Sequence, residues 1–465
     1  MKIFSTLSQK KEEFQPLEDK KIGMYVCGPT VYDVGHLGHA RSAVSFDVIR
    51  RYFEYKGFTV TFVSNITDVD DKMIKRAAEE KITEIQLAEK IIPEYAKDYA
   101  ALGVKVPTHQ PRATQYIQQM VTLIEDLLEK DVAYATEDGI YFEVSKFPGY
   151  GKLSGQNLQE LRAGARIEVD EKKKNPEDFA VWKKEKPGEP SWKGPLGMPG
   201  RPGWHIECSA MSADILGETF DIHGGGIDLQ FPHHEDEIAQ SEMASDKPFA
   251  LYWLHNGHIR VNKEKMSKSL GNFFTIKDIL KKHNPLVVRY FLLSTHYRMP
   301  IDFTDSLLEQ AKNGLERLRD AYANVKRAAE QKEHTEASDF DVAAALNLAR
   351  SYFEAAMDDD FEISRALAAL FELVNRVNVE VKNGTLNSKQ AEQIMKFFDE
   401  LDAVLGVITA PQSDVSSEIE SLIAERNEAR KKKNFKRSDE LRKELEAKGI
   451  ILEDTKEGTT WKRAL

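Results

Sequence analysis

The sequence predicts an α/β chain: a parallel-sheet domain split by an insertion, then a helical bundle, then a small C-terminal unit with its own character. Three observations carry this. First, an apolar run from Ile22 to Cys27 breaks at Gly28-Pro29-Thr30, passes into helical apolar spacing from Ala40 to Phe53, and resumes after Gly57 as a second apolar run, Phe58 to Val63. Strand, glycine-containing loop, helix and strand make a βαβ unit, which joins parallel strands. Second, beyond about Ser306 apolar residues recur at helical spacing in a charged background, as at Leu315, Leu318 and Ala321. Third, residues 425–465 hold 13 Lys or Arg against 9 Asp or Glu, a balance of +4 in a chain whose formal charge is -11.

The remaining elements follow in order. The pattern from about Glu79 to Lys130 reads as helical. Asp138, Gly139, Gly149, Gly151 and Gly155 then punctuate short strands and loops up to the Gly/Pro-rich stretch from Gly194 to Gly203, the style of an insertion. Strand-like runs return at Asp221 to Phe231, with three consecutive glycines, and at Tyr252 to Val261. A linker of small and polar residues, Ala410 to Ser417, precedes the last segment. The division expected is 1–110 and 201–305 for the two halves of the sheet domain, 111–200 for the insertion, 306–404 for the bundle and 405–465 for the C-terminal domain.

At 465 residues, two to four cores are expected. Apolar and charged fractions of 41% and 30% are those of a soluble globular protein, and no apolar run approaches the roughly 20 residues of a membrane span. Met1-Lys2-Ile3-Phe4 leads into polar sequence at Gln9 to Glu13, neither a secretory nor a transit pattern, so the reading is cytoplasmic. No long heptad stands out, and a monomer is expected. The two cysteines, Cys27 and Cys208, are candidates for buried thiols, a nucleophile or metal ligands rather than a disulfide.

Nucleotides bind parallel sheets at the carboxyl ends of strands. There the chain places His36-Leu37-Gly38-His39, two imidazoles at a helix N-terminus that can donate to phosphate oxygens where the helix dipole favours the same anion. Gly38 allows close approach to the backbone. Alone, the tetrad is equally consistent with two surface histidines beside a turn. Lys265-Met266-Ser267-Lys268-Ser269 carries two ammonium groups on a loop of small residues, suited to charge developing on phosphate oxygens. A solvated lysine loop is the plain alternative. A third set gathers Cys27, Cys208, His233 and Glu237: two thiolates, an imidazole and a carboxylate, the donors of a tetrahedral zinc site. Four apart at the start of a helix, His233 and Glu237 share a face, whereas the competing ligand His234 points about a hundred degrees away. His223 and Asp228, flanking Gly224 to Gly226, are candidates for an adenosine pocket, with Gly225 admitting the nucleotide; an ordinary strand-end turn is the alternative.

HLGH and KMSKS together resemble the signatures of class I aminoacyl-tRNA synthetases, with Leu37 for the commoner isoleucine. MYVCGPTVYD, NITDVDDK, RPGWHIECSAM, FDIHGGG and FPHHEDEIAQSE extend the resemblance over the chain to the cysteinyl-tRNA synthetases. It implies a Rossmann-type catalytic domain, zinc held by Cys27, Cys208, His233 and Glu237, and Gly28, Thr30, Trp204 and His223 beside the substrate. His36, His39 and Lys268, supported by Lys265, would stabilise the phosphates of ATP, with magnesium. L-cysteine would become cysteinyl adenylate and pass to tRNA(Cys). Zinc would select the thiolate over serine, so that no editing domain is needed. The mixed α/β C-terminal domain would read the anticodon through Arg426, Arg430, Arg437 and Trp461, with Phe435 as a stacking surface. A mycothiol-type ligase joining cysteine to an amino sugar and a non-catalytic zinc- and RNA-binding paralogue are the competing readings.

Overall fold

The computed structural model describes residues 1–156, 173–261, 264–266, 273–330, 340–409, 416–447, 450–455 and 458–463. Lys268 lies outside them, and of Lys265 and Trp461 only the backbone is described. The chain opens with an antiparallel hairpin, β1 (Lys2–Ser5) and β2 (Lys10–Glu13). Next come β3 (Lys21–Val26), α1 (Leu37–Tyr55) and β4 (Thr59–Val63), with β3 and β4 parallel. Side chains alternate across β3: Met24 and Val26 enter one core with Val44 and Phe46 of α1, while Tyr25 enters the other. Covering on both faces is why the strand reads as an unbroken apolar run.

The stretch expected to be helical throughout, Glu79 to Lys130, divides into α2 (Asp71–Glu80), α3 (Glu84–Ala101) and α4 (Ile117–Glu129). Thr83 and Gln86 form a capping box that starts α3, and Gly103 at φ 68°, followed by Pro107 and Pro111, separates α3 from α4. Beyond α4, β5 (Ala133–Ala135), β6 (Gly139–Phe142), β7 (Phe179–Lys184), β8 (Trp192–Lys193) and β9 (Pro199–Pro202) make an antiparallel sheet in the order β5-β6-β7-β9-β8.

The parallel sheet resumes through α5 (Trp204–Leu216), β10 (Phe220–Gly226), α6 (Glu235–Ser245) and β11 (Ala250–Asn256). Its order is β11-β10-β3-β4. The chain runs outward from β3 to β4 and then returns to the opposite side of β3, which makes the gap between β3 and β10 the switch point where such sheets bind ligands. The amide of Cys27 donates to Gly224 O there, at 3.1 Å. Then β12 (Ile259–Val261), β13 (Glu264–Lys265), α7 (Ile276–Leu280), α8 (Pro285–Leu293) and β14 (Ile301–Phe303) lead to the bundle of α9 (Asp305–Glu330), α10 (Val342–Met357), α11 (Ile363–Asn383) and α12 (Ser388–Leu405). A buried ion pair ties sheet domain to bundle: Arg289 of α8 meets Asp47 of α1 at 2.6 Å and donates to Leu405 O at 2.8 Å. Helices α13 (Ser416–Lys431) and α14 (Phe435–Ala447) and the hairpin β15 (Ile450–Thr455), β16 (Gly458–Arg463) close the chain. Among the described residues no helix is long and apolar enough to cross a membrane.

Candidate active site

A cavity of about 470 Å³ lies at the carboxyl end of the parallel sheet, lined among others by Cys27, Gly28, Thr30, His36, Gly38, His39, Trp204, Asp228 and Met266. The start of α1 supplies its two imidazoles. Nδ1 of His36 accepts the amides of Gly38 (3.1 Å) and His39 (3.3 Å), while the amide of His36 donates to His39 Nδ1 (3.2 Å). This is a capping box built from histidines, and it stacks the rings 3.6 Å apart. With each Nδ1 accepting, the proton of a neutral ring sits on Nε2, making that nitrogen a donor of the kind phosphate oxygens take. Gly38 serves this geometry directly, since a Cβ there would stand 2.9 Å from the His36 ring.

Cys27, directly after β3 and on the cavity wall, meets Cys208 of α5 at an Sγ separation of 3.8 Å. His233 Nε2 lies 3.6 Å from Cys208 Sγ and 3.0 Å from Glu237 Oε1, which is 3.6 Å from Cys27 Sγ. Donors about 2.0 to 2.3 Å from a shared tetrahedral centre stand roughly 3.3 to 3.8 Å apart, so the spacing of this quartet fits a metal ion. Burial raises the Cys27 thiol, reinforced by Cys208, whereas the hydrogen bond from Cys27 brings Cys208 down to about 6 against its own burial. Burial would lower His233, but Glu237 lifts it to about 10; burial would raise Glu237, but His223 and His233 hold it well below the carboxylate range.

Trp204 stacks on His233 at 4.1 Å, and His205 Nδ1 lies 2.9 Å from His233 Nδ1 while its Nε2 faces Asp236 at 3.3 Å. A metal-binding ring is usually held in orientation by a partner on its second nitrogen; here that partner is His205, itself backed by Asp236. Sequence reasoning missed His205, although its place three residues before Cys208 was a usable signal. It missed His255 as well, which no motif marks.

Several expected placements change. Among the described residues a second set with metal-binding spacing shares two members with the first: Cys27, His223, His234 and Glu237. His234 Nε2 nevertheless approaches Cys27 Sγ at 3.3 Å: Phe231 is extended but His234 itself has helical φ/ψ, so His233 and His234 point in different directions, one to Cys208 and the other to Cys27. His234 Nδ1 in turn meets His255 Nε2 at 2.8 Å. His223 does not line the cavity. It is fully buried behind Glu237, 2.7 Å from Oε2, stacked on Trp253, with Nδ1 lacking a partner among the described residues. Gly224 and Gly225 lie against the rings of Phe46 and His234; of the three glycines only Gly226 lines the cavity. Asp228 is exposed on the cavity wall.

In the C-terminal unit Arg426 is 3% exposed and donates to Thr459 Oγ1 (3.1 Å), so it braces α13 against the hairpin instead of facing a ligand. Arg430 is exposed, and Arg437 is partly exposed beside Glu425 (2.8 Å) and Glu440 (3.5 Å).

A parallel sheet with paired histidines at its switch point, an inserted antiparallel subdomain and a helical bundle defines a class I aminoacyl-tRNA synthetase. Known proteins agree. The model for the tRNA synthetases class I (C) catalytic domain matches residues 13–313, the DALR domain residues 352–409 and the cysteinyl-tRNA ligase anticodon binding domain residues 412–461. Cysteine–tRNA ligases of Carboxydothermus hydrogenoformans and Geobacter metallireducens are each 51% identical, over 100% and 99% of both chains respectively. That of Geobacillus thermodenitrificans is 50% identical over 100% of this chain and 99% of its own. The chain belongs to the cysteine–tRNA ligase family. In fold it also resembles Mycobacterium tuberculosis methionyl-tRNA synthetase in complex with methionyl-adenylate, with a TM-score of 0.61 at 15% identity, covering 83% of this chain and 89% of that one.

Proposed function

We propose that this enzyme activates L-cysteine with ATP, releasing pyrophosphate, and transfers the aminoacyl group to tRNA(Cys). The observation that carries the reading is a thiol-rich quartet opening, through Cys27, onto the same cavity as the HLGH histidines. Its donors suit zinc, since two sulfurs favour a soft ion over magnesium or calcium. Cys27, Cys208, His233 and Glu237 would hold it, in preference to the set with a single sulfur. Zinc bound there supplies a Lewis acid that keeps a coordinating thiol deprotonated and has little affinity for the hydroxyl of serine.

The chain's own residues do the rest. Trp204 closes one wall beside His233, and Gly28 and Thr30 border the amino acid. His36 and His39 stabilise charge on the ATP phosphates, with magnesium as counter-ion and Lys265 and Lys268 adding positive charge, so that the amino acid's carboxylate reaches the α-phosphate. Gly226 and Asp228 border the adenosine. On the C-terminal unit Arg430, Arg437 and Trp461, with the lysines between α13 and α14, contact the tRNA anticodon region. The five-part division of the chain given above, a monomeric state and a cytoplasmic setting belong to the same proposal.

The test is cysteine-dependent ATP–pyrophosphate exchange with serine as control, on wild type and Cys208→Ser, with zinc measured in both. Cysteine-selective exchange lost together with zinc is expected; zinc-loaded wild type without exchange overturns the reading.

A further inference from the structure

A buried polar chain that the chemistry above leaves unused joins the loop after β3 to α5. The amide of Gly28 donates to Asn65 Oδ1 at 2.8 Å, Asn65 Nδ2 donates to Thr67 Oγ1 at 3.3 Å, and the Thr67 hydroxyl donates to Glu207 Oε2 at 2.9 Å. The three side chains are 1%, 2% and 0% exposed. Backbone bonds fix the first half of this connection: Thr67 N–H donates to Pro29 O, and Val31 N–H donates to Thr67 O, both at 3.1 Å.

What matters is where this chain begins and ends. Gly28 follows Cys27, and Glu207 precedes Cys208. The two termini are therefore the covalent neighbours of the two thiols, which sit 3.8 Å apart on different elements, a strand end and a helix. Space at the junction is fully used, since a Cβ on Gly28 would lie 1.6 Å from Asn65 O. Burying a carboxyl there is costly, and Glu207 Oε1 has no partner among the described residues. An apolar side chain would fill the volume without that cost, so the acceptor has a use other than packing.

We infer that Asn65, Thr67 and Glu207 form a clamp that sets the spacing of Cys27 and Cys208 before ion and amino acid arrive, and are positioning residues for the substrate thiol. This rests on the metal-centre reading above. Each donor in the chain has one acceptor, so removing the Thr67 hydroxyl opens it in the middle while leaving both ends in place. The polar path from the loop to the helix is then interrupted, and the quartet loses its fixed separation. Residues that orient metal ligands typically account for about 10- to 100-fold in metal affinity.

The experiment compares wild type with Thr67→Val, Glu207→Met and Thr67→Ser, each checked for folding by circular dichroism and melting temperature. Zinc release to a colorimetric chelator and the KM values for cysteine and ATP in pyrophosphate exchange are measured. In Thr67→Val and Glu207→Met, zinc release accelerates and KM for cysteine rises, each about tenfold, with KM for ATP unchanged; Thr67→Ser behaves as wild type. If one apolar variant fails to fold, the other decides. Wild-type zinc release and wild-type KM for cysteine in a folded apolar variant overturn the clamp, and so does an equal rise in both KM values. If wild type holds no zinc, the metal reading itself fails. The clamp is then judged by disulfide closure of Cys27 with Cys208 under diamide, read by mass: slower closure in the apolar variants supports it, and equal rates overturn it.

Discussion

Beside the cavity, Cys208, His233 and Glu237 are at most 2% exposed and each touches another ionisable group, whereas at the end of α13 and just beyond it Lys431, Lys432 and Lys433 stand exposed in a row. Both regions gather charge for a ligand. In the first, removal from water makes every contact strong and every unmatched group expensive, so partners and spacing are fixed. In the second, water screens each charge, so no single residue counts for much and the row acts through its sum. The contrast predicts that single substitutions at buried sites have large effects and at exposed ones small effects.

The largest effect is expected at the pair that joins sheet domain to bundle. Asp47 is 3% exposed and faces both Arg289 (2.6 Å) and Arg51 (2.7 Å). Asp47→Asn leaves Arg289 buried without its counter-charge, and unfolding in urea should show a loss of about 3 to 5 kcal/mol. A loss below about 1 kcal/mol would place this pair with the surface ion pairs and break the comparison. Gly28→Ala comes next. Because the new Cβ would stand 1.6 Å from a backbone oxygen, the loop carrying Cys27 must move. A shift of that size should lower kcat/KM for cysteine activation by roughly 100-fold, measured by pyrophosphate exchange, while the melting temperature moves by far less than in Asp47→Asn.

How much of this was legible follows from the same contrast. The βαβ unit, the HLGH tetrad and the helical C-terminal third were readable because their signals are local: apolar runs, a turn, a spacing. Cys27, Cys208, His233 and Glu237 were readable as donors by residue type, and the structure brings them within 4.8 Å of one another. The roles of His223 and His234 were not readable, because they depend on how close the end of β3 comes to His234 and on which face of β10 meets α6. Arg426 illustrates the limit at the other end. In sequence it belongs to a basic run and looks like an RNA contact, yet the fold buries it against Thr459. The Asp47–Arg289 pair spans 242 positions, and nothing in either neighbourhood announces it.

On the exposed side, Lys432→Ala with Lys433→Ala should raise KM for tRNA(Cys) about three- to tenfold at ~0.15 M salt and flatten its salt dependence, each lost phosphate contact lowering the slope by about 0.7. Cysteine-dependent pyrophosphate exchange should be unchanged, since both lysines lie outside the cavity. In contrast, Arg426→Ala should lower the stability of the C-terminal unit, seen as earlier proteolysis of α13 and α14. If the double lysine variant matched Arg426→Ala in proteolysis, the exposed row would be structural after all.

The smallest effect tests burial by proton linkage at Asp98 on α3, far in sequence from the quartet. It is 5% exposed, and burial, then Glu94, push its carboxyl up to about 6, with Lys277 and Lys97 pulling the other way. The folded state therefore holds a proton that the unfolded chain, with a carboxyl near 3.8, has already lost. Between about pH 4 and pH 6 unfolding releases that proton, so this residue's contribution to stability falls as pH rises and levels off above 6. Glu94 and Lys277 are partly exposed and screened by water, which leaves an effect of about 1 kcal/mol. Asp98→Asn should match wild type near pH 4 and exceed it by that amount at pH 7. Parallel stability curves for the two proteins across this range would show that Asp98 pays no such penalty and that burial alone does not govern charge in this fold.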